Sequence, residues 1–517
     1  MLIRLFQANI LFLIILGLSS CTTPIPTRSS INVLSIKDYV GKKNNPFIKI
    51  HMMNGMVYIL SDWDLDEEET NVLGHGKLFG INRKLISNGQ FNIPIKQIAI
   101  AESNTLMKTS SPLSAMTILS LGATAGCLAS PKSCFGSCPT FYITDGDSMK
   151  LMSEGFSLST TPIWEDTDID ALYMASPIGK EVNLRLTNEA HETHAIKSVR
   201  LLAFPREKER RVVRLDDGRY FSSKMLIPDF CRAEEGDILP KIIFFDDDER
   251  YTITDESDLT TKEYIEVSFN NVEKKENALV LGLRQTVMPT FVYYTMLDYM
   301  GDSRGDGIAK LIRDDNVDFK GRERILDALG GVDVEILDRN GHWSSVGTVY
   351  EAGPIAKDVI GMNLPSILDG KIHIRLKMTK GMWRLDYVAL AELEKELEPI
   401  VIEPIRIEDS KGEMDTYSLE LLLDRDRYLT TLLGDQHDIF FPMPEKDAPF
   451  EWFLESRGYY LEWHRDPWLL DRDMAALLEL QLHPKRALRK MAQMYKEVEE
   501  EFEDLFWNSR YEMEHNN

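Results

Sequence analysis

From Phe47 onward the chain is made of short apolar segments broken by turn residues. That rhythm constrains the fold more than any other feature. Val182, Leu184 and Leu186 alternate with Asn183 and Arg185, and Ile372, Ile374, Leu376 and Met378 alternate with Lys371, His373, Arg375 and Lys377. A period of two places one face of a strand in a core and the other in water. Asn54-Gly55, Asp145-Gly146, Asp217-Gly218 and Lys380-Gly381 fall between such segments and read as turns. Trp383 and Leu385 after Lys380-Gly381 predict a hairpin with one wet face. The implied fold is mainly β with α: antiparallel sheet or sandwich units, a helical insert and a helical C-terminus.

The organisation follows the same rhythm. Residues 1–20 read as a signal segment and 21–46, rich in Thr, Pro, Ser and Asn, as a tether. Residues 47–110 form a small antiparallel β unit. Residues 111–140 hold an apolar helix, Ser114 to Ala129, and a cysteine loop. That helix reads as core rather than as a membrane span, which needs about 20 apolar residues. A β-sandwich-like domain at 141–286 and a second β-rich domain at 331–471 flank an insert at 287–330. In the insert Phe291, Tyr294, Met296 and Leu297, then Ile308, Ala309, Leu311 and Ile312, recur at helical spacing. Residues 472–517 are helical. Pro484 suits a first helical position, and Leu488, Met491, Tyr495, Val498, Phe502 and Leu505 make one narrow apolar stripe. Lys485, Arg486, Arg489 and Lys490 sit at the positive end of that helix and Glu499 to Asp504 at the negative end. Such a helix frays alone and is expected to dock on the body or a partner.

The N-terminus carries Arg4, an apolar run from Ile10 to Leu18, then Leu18-Ser19-Ser20-Cys21. The charged and apolar regions are those of a secretory signal, and the run is too short to span a bilayer. The final four residues resemble the lipobox of bacterial lipoproteins. The resemblance implies cleavage before Cys21, a diacylglycerol on its sulfur and an acylated N-terminus, which together suffice for stable anchoring. Thr22 and Thr23 follow, with no Asp and no acidic cluster. In diderm bacteria that pattern favours the outer membrane, so the expected place is the cell envelope.

The formal net charge is −24, from 83 acids against 59 Lys and Arg. Such a surface disfavours nucleic acid and anionic headgroups. Beyond Cys21 the cysteines are Cys127, Cys134, Cys138 and Cys231. Four thiols in an oxidising compartment allow two disulfides in any of three connectivities. Cys134 and Cys138, with Gly136 between them and Pro139 after, suit a tight structural loop. Their spacing is longer than the redox Cys-x-x-Cys, and no paired histidines follow at zinc-finger spacing.

Four stretches stand out: Cys134-Phe-Gly-Ser-Cys-Pro-Thr-Phe-Tyr142, Asn188-Glu-Ala-His-Glu-Thr-His194, Gly458-Tyr-Tyr-Leu-Glu-Trp-His-Arg465 and Phe506-Trp-Asn-Ser-Arg510. As a set they resemble a signature of an uncharacterised group of bacterial lipoproteins. The resemblance implies a lipoprotein and carries no activity. Glu189, His191, Glu192 and His194 are the densest ligand-type cluster. On a strand, each face would receive only two of them, so a metal site needs a distant third ligand. Gly301-Asp-Ser303-Arg-Gly305 fits a nucleophile elbow but lacks the strand that must precede one. Asp246, Asp247, Asp248 and Glu249 lack a calcium-binding loop. There is no phosphate-binding or dinucleotide fingerprint, and no cofactor is expected. The aromatic residues Tyr459, Tyr460, Trp463 and Trp468 suit a core or an interface. The chain therefore reads as a lipid-anchored binding or assembly factor with an envelope protein as possible partner and no nucleic acid. The alternative is an envelope hydrolase of glycan or peptide, since two unmarked carboxylates suffice for glycoside hydrolysis.

Overall fold

The computed structural model describes residues 24–31, 36, 40, 47–108, 138–145, 148–177, 179–245, 248–300, 325–350, 353–365, 368–445, 449–463, 473–500 and 502–504. Cys21, Ser114–Ala129, Cys127, Cys134, Asp246, Asp247, Ser303, Trp468 and Phe506–Arg510 lie outside the described residues. No described helix is long and apolar enough to cross a membrane.

The chain divides into two compact units, Met1–Gly126 and Cys127–Asn517. The first is one antiparallel sheet built from β1 (Pro24–Ile31), β2 (Phe47–Met52), β3 (Val57–Leu65), β4 (Asn71–Phe79), β5 (Leu85–Pro94) and β6 (Ile98–Lys108). Its order is β1-β6-β2-β3-β4-β5. Asn54-Gly55 closes the β2–β3 hairpin, with Gly55 at φ 77°. Ile48, Ile50, Leu60, Trp63, Val72 and Ile93 form its core. Lys49 is also buried, and its ammonium lies 3.0 Å from Glu102 on the neighbouring strand.

The second unit begins with β7 (Thr140–Asp145), β8 (Ser148–Glu154), β9 (Asp166–Ala171), β10 (Glu181–Thr187) and β11 (Glu192–Pro205). Next come β12 (Arg211–Arg214), β13 (Tyr220–Leu226), β14 (Phe230–Ala233), β15 (Gly236–Asp237), β16 (Lys262–Lys275) and β17 (Asn277–Gln285). The helices α1 (Val287–Met300) and α2 (Ile325–Leu329) follow, then β18 (Val332–Leu337), β19 (Trp343–Val349), β20 (Asp358–Asn363), β21 (Leu368–Thr379) and β22 (Trp383–Leu397). The last part holds β23 (Ile400–Ile402), β24 (Arg406–Asp409), α3 (Thr416–Leu423), β25 (Leu429–Thr431), β26 (Gln436–Pro442), β27 (Phe450–Glu462), α4 (Met474–Leu482) and α5 (Pro484–Lys496).

These strands make four antiparallel sheets. Sheet II is β24-β26-β10-β7-β8, and sheet III is β23-β11-β27-β9 with β25 added to β11. Sheet IV is β12-β13-β22-β17-β20 and sheet V is β15-β14-β16-β21-β18-β19. Sheets II and III enclose one core, where Phe141, Leu184 and Phe441 meet Ile196, Leu201, Trp452 and Leu454. The opposite face of sheet III carries Leu202, Phe204 and Phe453 into a second core with Val213, Tyr220 and Val280 of sheet IV. Sheet III is therefore a middle layer, but sheet IV covers only part of it.

Three sequence expectations are corrected. Residues 141–286 and 331–471 are not separate domains, because each of the four sheets takes strands from both segments. Strands such as β17, buried at every position from Asn277 to Arg284, need cover on two faces, and near neighbours in sequence cannot supply all of it. Lys380-Gly381 does not close a hairpin: β21 belongs to sheet V and β22 to sheet IV. Gly381, at φ 76°, carries the chain between sheets, and a Cβ there would lie 2.5 Å from the backbone nitrogen of Thr254. The helical insert and the C-terminal helices are not independent units either, since Phe291 of α1 lies against Tyr495 of α5 with ring centroids 5.2 Å apart.

The C-terminal helix docks on the body, with Leu488, Met491 and Tyr495 fully buried. The helix ends at Lys496, short of the expected negative end, so Glu499 and Glu503 lie beyond it, and the charges of both parts find partners on the body. Arg489 reaches Asp258 at 2.7 Å. Glu499 accepts from the Thr254 amide at 2.6 Å, and Glu503 from the Val287 amide at 2.6 Å and Arg384 at 2.7 Å.

Candidate functional site

Two of the distinctive stretches are cross-strand partners. Asn188–His194 leads into β11 and Gly458–Trp463 ends β27. Glu192 stands opposite Glu462, His194 opposite Tyr460 and Ile196 opposite Gly458. The Trp463 indole donates to Thr193 Oγ1 at 2.9 Å. The Asn188 amide donates to the carbonyls of Glu192 and Thr431, each at 3.1 Å. From the third stretch, Cys138 and Phe141 enter the core between sheets II and III, and the Tyr142 hydroxyl donates to Glu189 at 2.6 Å. Tyr459, Tyr460 and Trp463 are buried within this arrangement.

The weak metal candidates are not gathered into one site. Because β11 begins at Glu192, Glu189 and His191 lie on the turn before it rather than sharing a strand face. Glu189 is engaged by Tyr142 and Thr187, while His191 lies beside Trp463 with ring centroids 6.0 Å apart. Glu192 and His194 are buried, with Nε2 of His194 3.0 Å from a Glu192 oxygen. Burial pulls the His194 imidazole down to about 3, so it is neutral. Among the described residues, no group of three or more His, Cys, Asp and Glu could hold a metal ion.

The disulfide candidates also differ from expectation at the two described positions. Cys138 and Cys231 are free, buried thiols. They stand in different sheets: Cys231 on β14 of sheet V, and Cys138 beside β7 of sheet II. Burial, reinforced by the charges of Glu154 and Glu192, pushes the Cys138 thiol well up. Only a thiolate is a strong nucleophile, so Cys138 acts as core.

Near Cys138, carboxyl groups line the seam between β8, β9 and β20. Burial raises Glu154 to about 7, although its Oε2 accepts from the Ile355 amide at 2.7 Å. Burial also raises Asp168, which accepts from the Phe156 amide at 2.9 Å. Asp170 takes the Ser153 hydroxyl. Asp358 is raised by burial to about 6 and accepts from the Ala171 amide at 2.8 Å. Arg214 supplies the positive field on Asp168 and Asp358. None of these acids was distinguishable by sequence among 83, because only the packing of three strands shifts them.

The part of sheet III not covered by sheet IV opens into a cleft of about 260 Å³, lined by Thr167, Lys197, Ser198, Arg200, Arg425, Glu455 and Arg457. A β-bulge builds its floor. The register of β11 against β27 shifts between Ile196 and Ser198, so Lys197 is the extra residue. Val199 and Leu201 then return to the sandwich core, while Lys197, Ser198 and Arg200 all line the cleft. Bulges re-aim side chains in this way. Gly458 permits the close approach opposite the bulge: a Cβ there would lie 2.4 Å from the Ala195 carbonyl oxygen.

Carboxylates hold the cleft cations in place. Glu165 lies 2.7 Å from Arg457 Nε and 3.8 Å from Lys197 Nζ, and it accepts the Tyr428 hydroxyl. Burial opposes its charge, but the hydrogen bonds from Tyr428 and Arg457 and the field of Lys197 hold Glu165 below the usual carboxylate range. Glu455 holds Arg200, and Glu403 lies 2.8 Å from Arg425 and 3.9 Å from Arg200. Lys197 also sits 5.0 Å from the centre of the Tyr428 ring, which packs against Tyr459. Sequence reasoning missed this site. Its one local trace is the break in alternation at Lys197-Ser198, and nothing local joins that break to Arg425.

No family model matches this chain, and no curated protein does. Among solved structures, it has a likeness to a beta-porphyranase of glycoside hydrolase family 86 from the human gut bacterium Bacteroides plebeius. The TM-score is 0.17 at 8% identity, over 49% of this chain and 39% of that one. The likeness thus spans well under half of that enzyme's length.

Proposed function

We propose that this protein is a lipid-anchored binding or assembly factor of the cell envelope, held by acyl groups on Cys21. The observation that carries the binding reading is the cleft on the open face of sheet III. Four cationic side chains meet there, Lys197, Arg200 and Arg457 from the sheet and Arg425 from the turn after α3, and glutamates hold them in position. Binding groups set on strands and locked by supporting hydrogen bonds are preorganised, which lowers the entropic cost of recognition. The test is fractionation followed by pull-down from detergent-solubilised membranes. The protein should partition with membranes and recover a stoichiometric envelope partner. Cys21→Ala should release it in a folded state. Membrane retention of that variant, or recovery of the protein alone, defeats the reading.

One observation favours a second reading, a hydrolase of envelope glycan or peptide. Glu154 keeps its proton to about pH 7, the property a general acid needs. Against it, Glu154 is only 5% exposed, so substrate would have to open the seam. Glu154→Gln abolishes any hydrolysis that proceeds this way and leaves partner recovery intact.

A further inference from the structure

We propose that the sheet III cleft binds a small sugar bearing an oxyanion, either a carboxylate or a phosphate. This names the ligand class of the site on which the binding reading above rests. Four cations, Lys197, Arg200, Arg425 and Arg457, converge on the cleft, against three carboxylates, Glu165, Glu403 and Glu455. The cleft is therefore locally positive in a chain of net charge −24.

The glutamates orient the cations without using all their donors. Arg425 gives one N–H to Glu403, and Arg457 gives Nε to Glu165 and a longer contact of 3.3 Å to Thr167. Both side chains remain about half exposed, at 52% and 44%. A guanidinium is planar and presents paired donors that match a carboxylate or phosphate edge. Thr167 and Ser198 add neutral hydroxyl groups that suit the hydroxyls of a sugar ring.

Size and field suit a small anion. A volume of about 260 Å³ accommodates a sugar ring with its charged group. The negative surface repels nucleic acid and anionic bilayers at long range, whereas a small anion feels the cleft at contact distance. At physiological salt, charges beyond about 8 Å are largely screened.

The experiment is calorimetric titration of purified Cys21→Ala protein with glucuronic acid, glucose 6-phosphate, inorganic phosphate and glucose at low and high salt. The expected result is salt-sensitive binding of glucuronic acid, glucose 6-phosphate or both, tighter than inorganic phosphate, with none for glucose. The preferred charged sugar identifies the source of the oxyanion. Arg425→Gln/Arg457→Gln should weaken this binding by at least about tenfold, as expected for loss of charge-assisted contacts. Its melting curve should stay close to that of the parent. Four outcomes overturn the proposal: no charged sugar binds, glucose binds equally well, inorganic phosphate binds as tightly as either sugar, or the double variant retains affinity. If membrane pull-down recovers a partner but no charged sugar binds, the binding reading survives and the cleft ligand falls. If charged sugars bind but no partner is recovered, the reverse holds.

Discussion

Two groups of charges in the second unit are built from the same residue types and end in opposite roles. Around α5, Arg284 meets Glu249 at 2.8 Å and Arg384 meets Glu503 at 2.7 Å, and all four side chains are at least nine-tenths buried. In the cleft, Arg425 and Arg457 meet Glu403 and Glu165 at similar distances but stand half in water. The difference lies in the cost of losing a partner. A buried ion that loses its partner keeps its desolvation penalty, whereas an exposed one is rehydrated. The first network therefore ties the C-terminal segment to the body, and the second keeps cationic groups at the surface with donors turned to water.

The strongest test of this contrast is Glu503→Ala. It removes the acceptor of the Val287 amide and the nearer carboxylate of Arg384, leaving that guanidinium only Glu249 at 3.7 Å, so about 3 kcal/mol of stability should be lost, read from the denaturant midpoint. A loss like that of a surface pair would erase the contrast.

The acid seam should be nearly as sensitive, and its sign is fixed by the direction of the shift. Glu154 ionises near 4.5 when unfolded and near 7 when folded. Below 4.5 it is protonated in both states and costs nothing. Between 4.5 and 7 the unfolded chain loses a proton that the folded chain keeps, so stability falls, by on the order of 3 kcal/mol at the upper end. Asp358 acts in the same sense. His194 opposes them: unfolded near 6.5 and folded near 3, it removes stability as pH drops through that range. Urea titrations from pH 4 to 8 should show Glu154→Gln gaining on the parent as pH rises, and His194→Gln gaining as pH falls. Parallel curves would show that neither group carries its proton differently in the folded state.

Gly458→Ala tests the cleft floor. The added methyl meets the Ala195 carbonyl and Phe156, and overpacking of this kind costs about 1–3 kcal/mol. Relief of the clash by displacement of β11 should also weaken ligand binding. The smallest effect is expected at Arg425→Gln, within about 1 kcal/mol by thermal melt, since exposed pairs contribute little. A larger loss would move the cleft arginines into the structural group.

Much of the fold was legible locally. The Asn54-Gly55 turn, the alternation through Val182–Leu186 and Ile372–Met378, and the part of the stripe from Leu488 to Tyr495 on α5 all lie where pattern and turn chemistry place them. Lys380-Gly381 misled because a turn reads the same locally whether it joins strands within a sheet or between two sheets. The domain boundaries misled for a related reason, since sheet partners are chosen by which apolar faces remain uncovered. The cleft was illegible because its residues come from β9, β11, β27 and the segment after α3, and only the tertiary structure joins them.

The sequence alone determined that the chain is mainly antiparallel β and that its last helix must dock. Both follow from periodicity and from charge against the helix dipole, which are properties of neighbours in the chain. It also carries the lipobox-like Leu18–Cys21, from which anchoring is proposed. Only the tertiary structure decided which charges are locked and which are available. Burial of an arginine or a glutamate depends on the sheet that covers it, and sheet IV covers one end of sheet III while leaving the end beside Lys197 open.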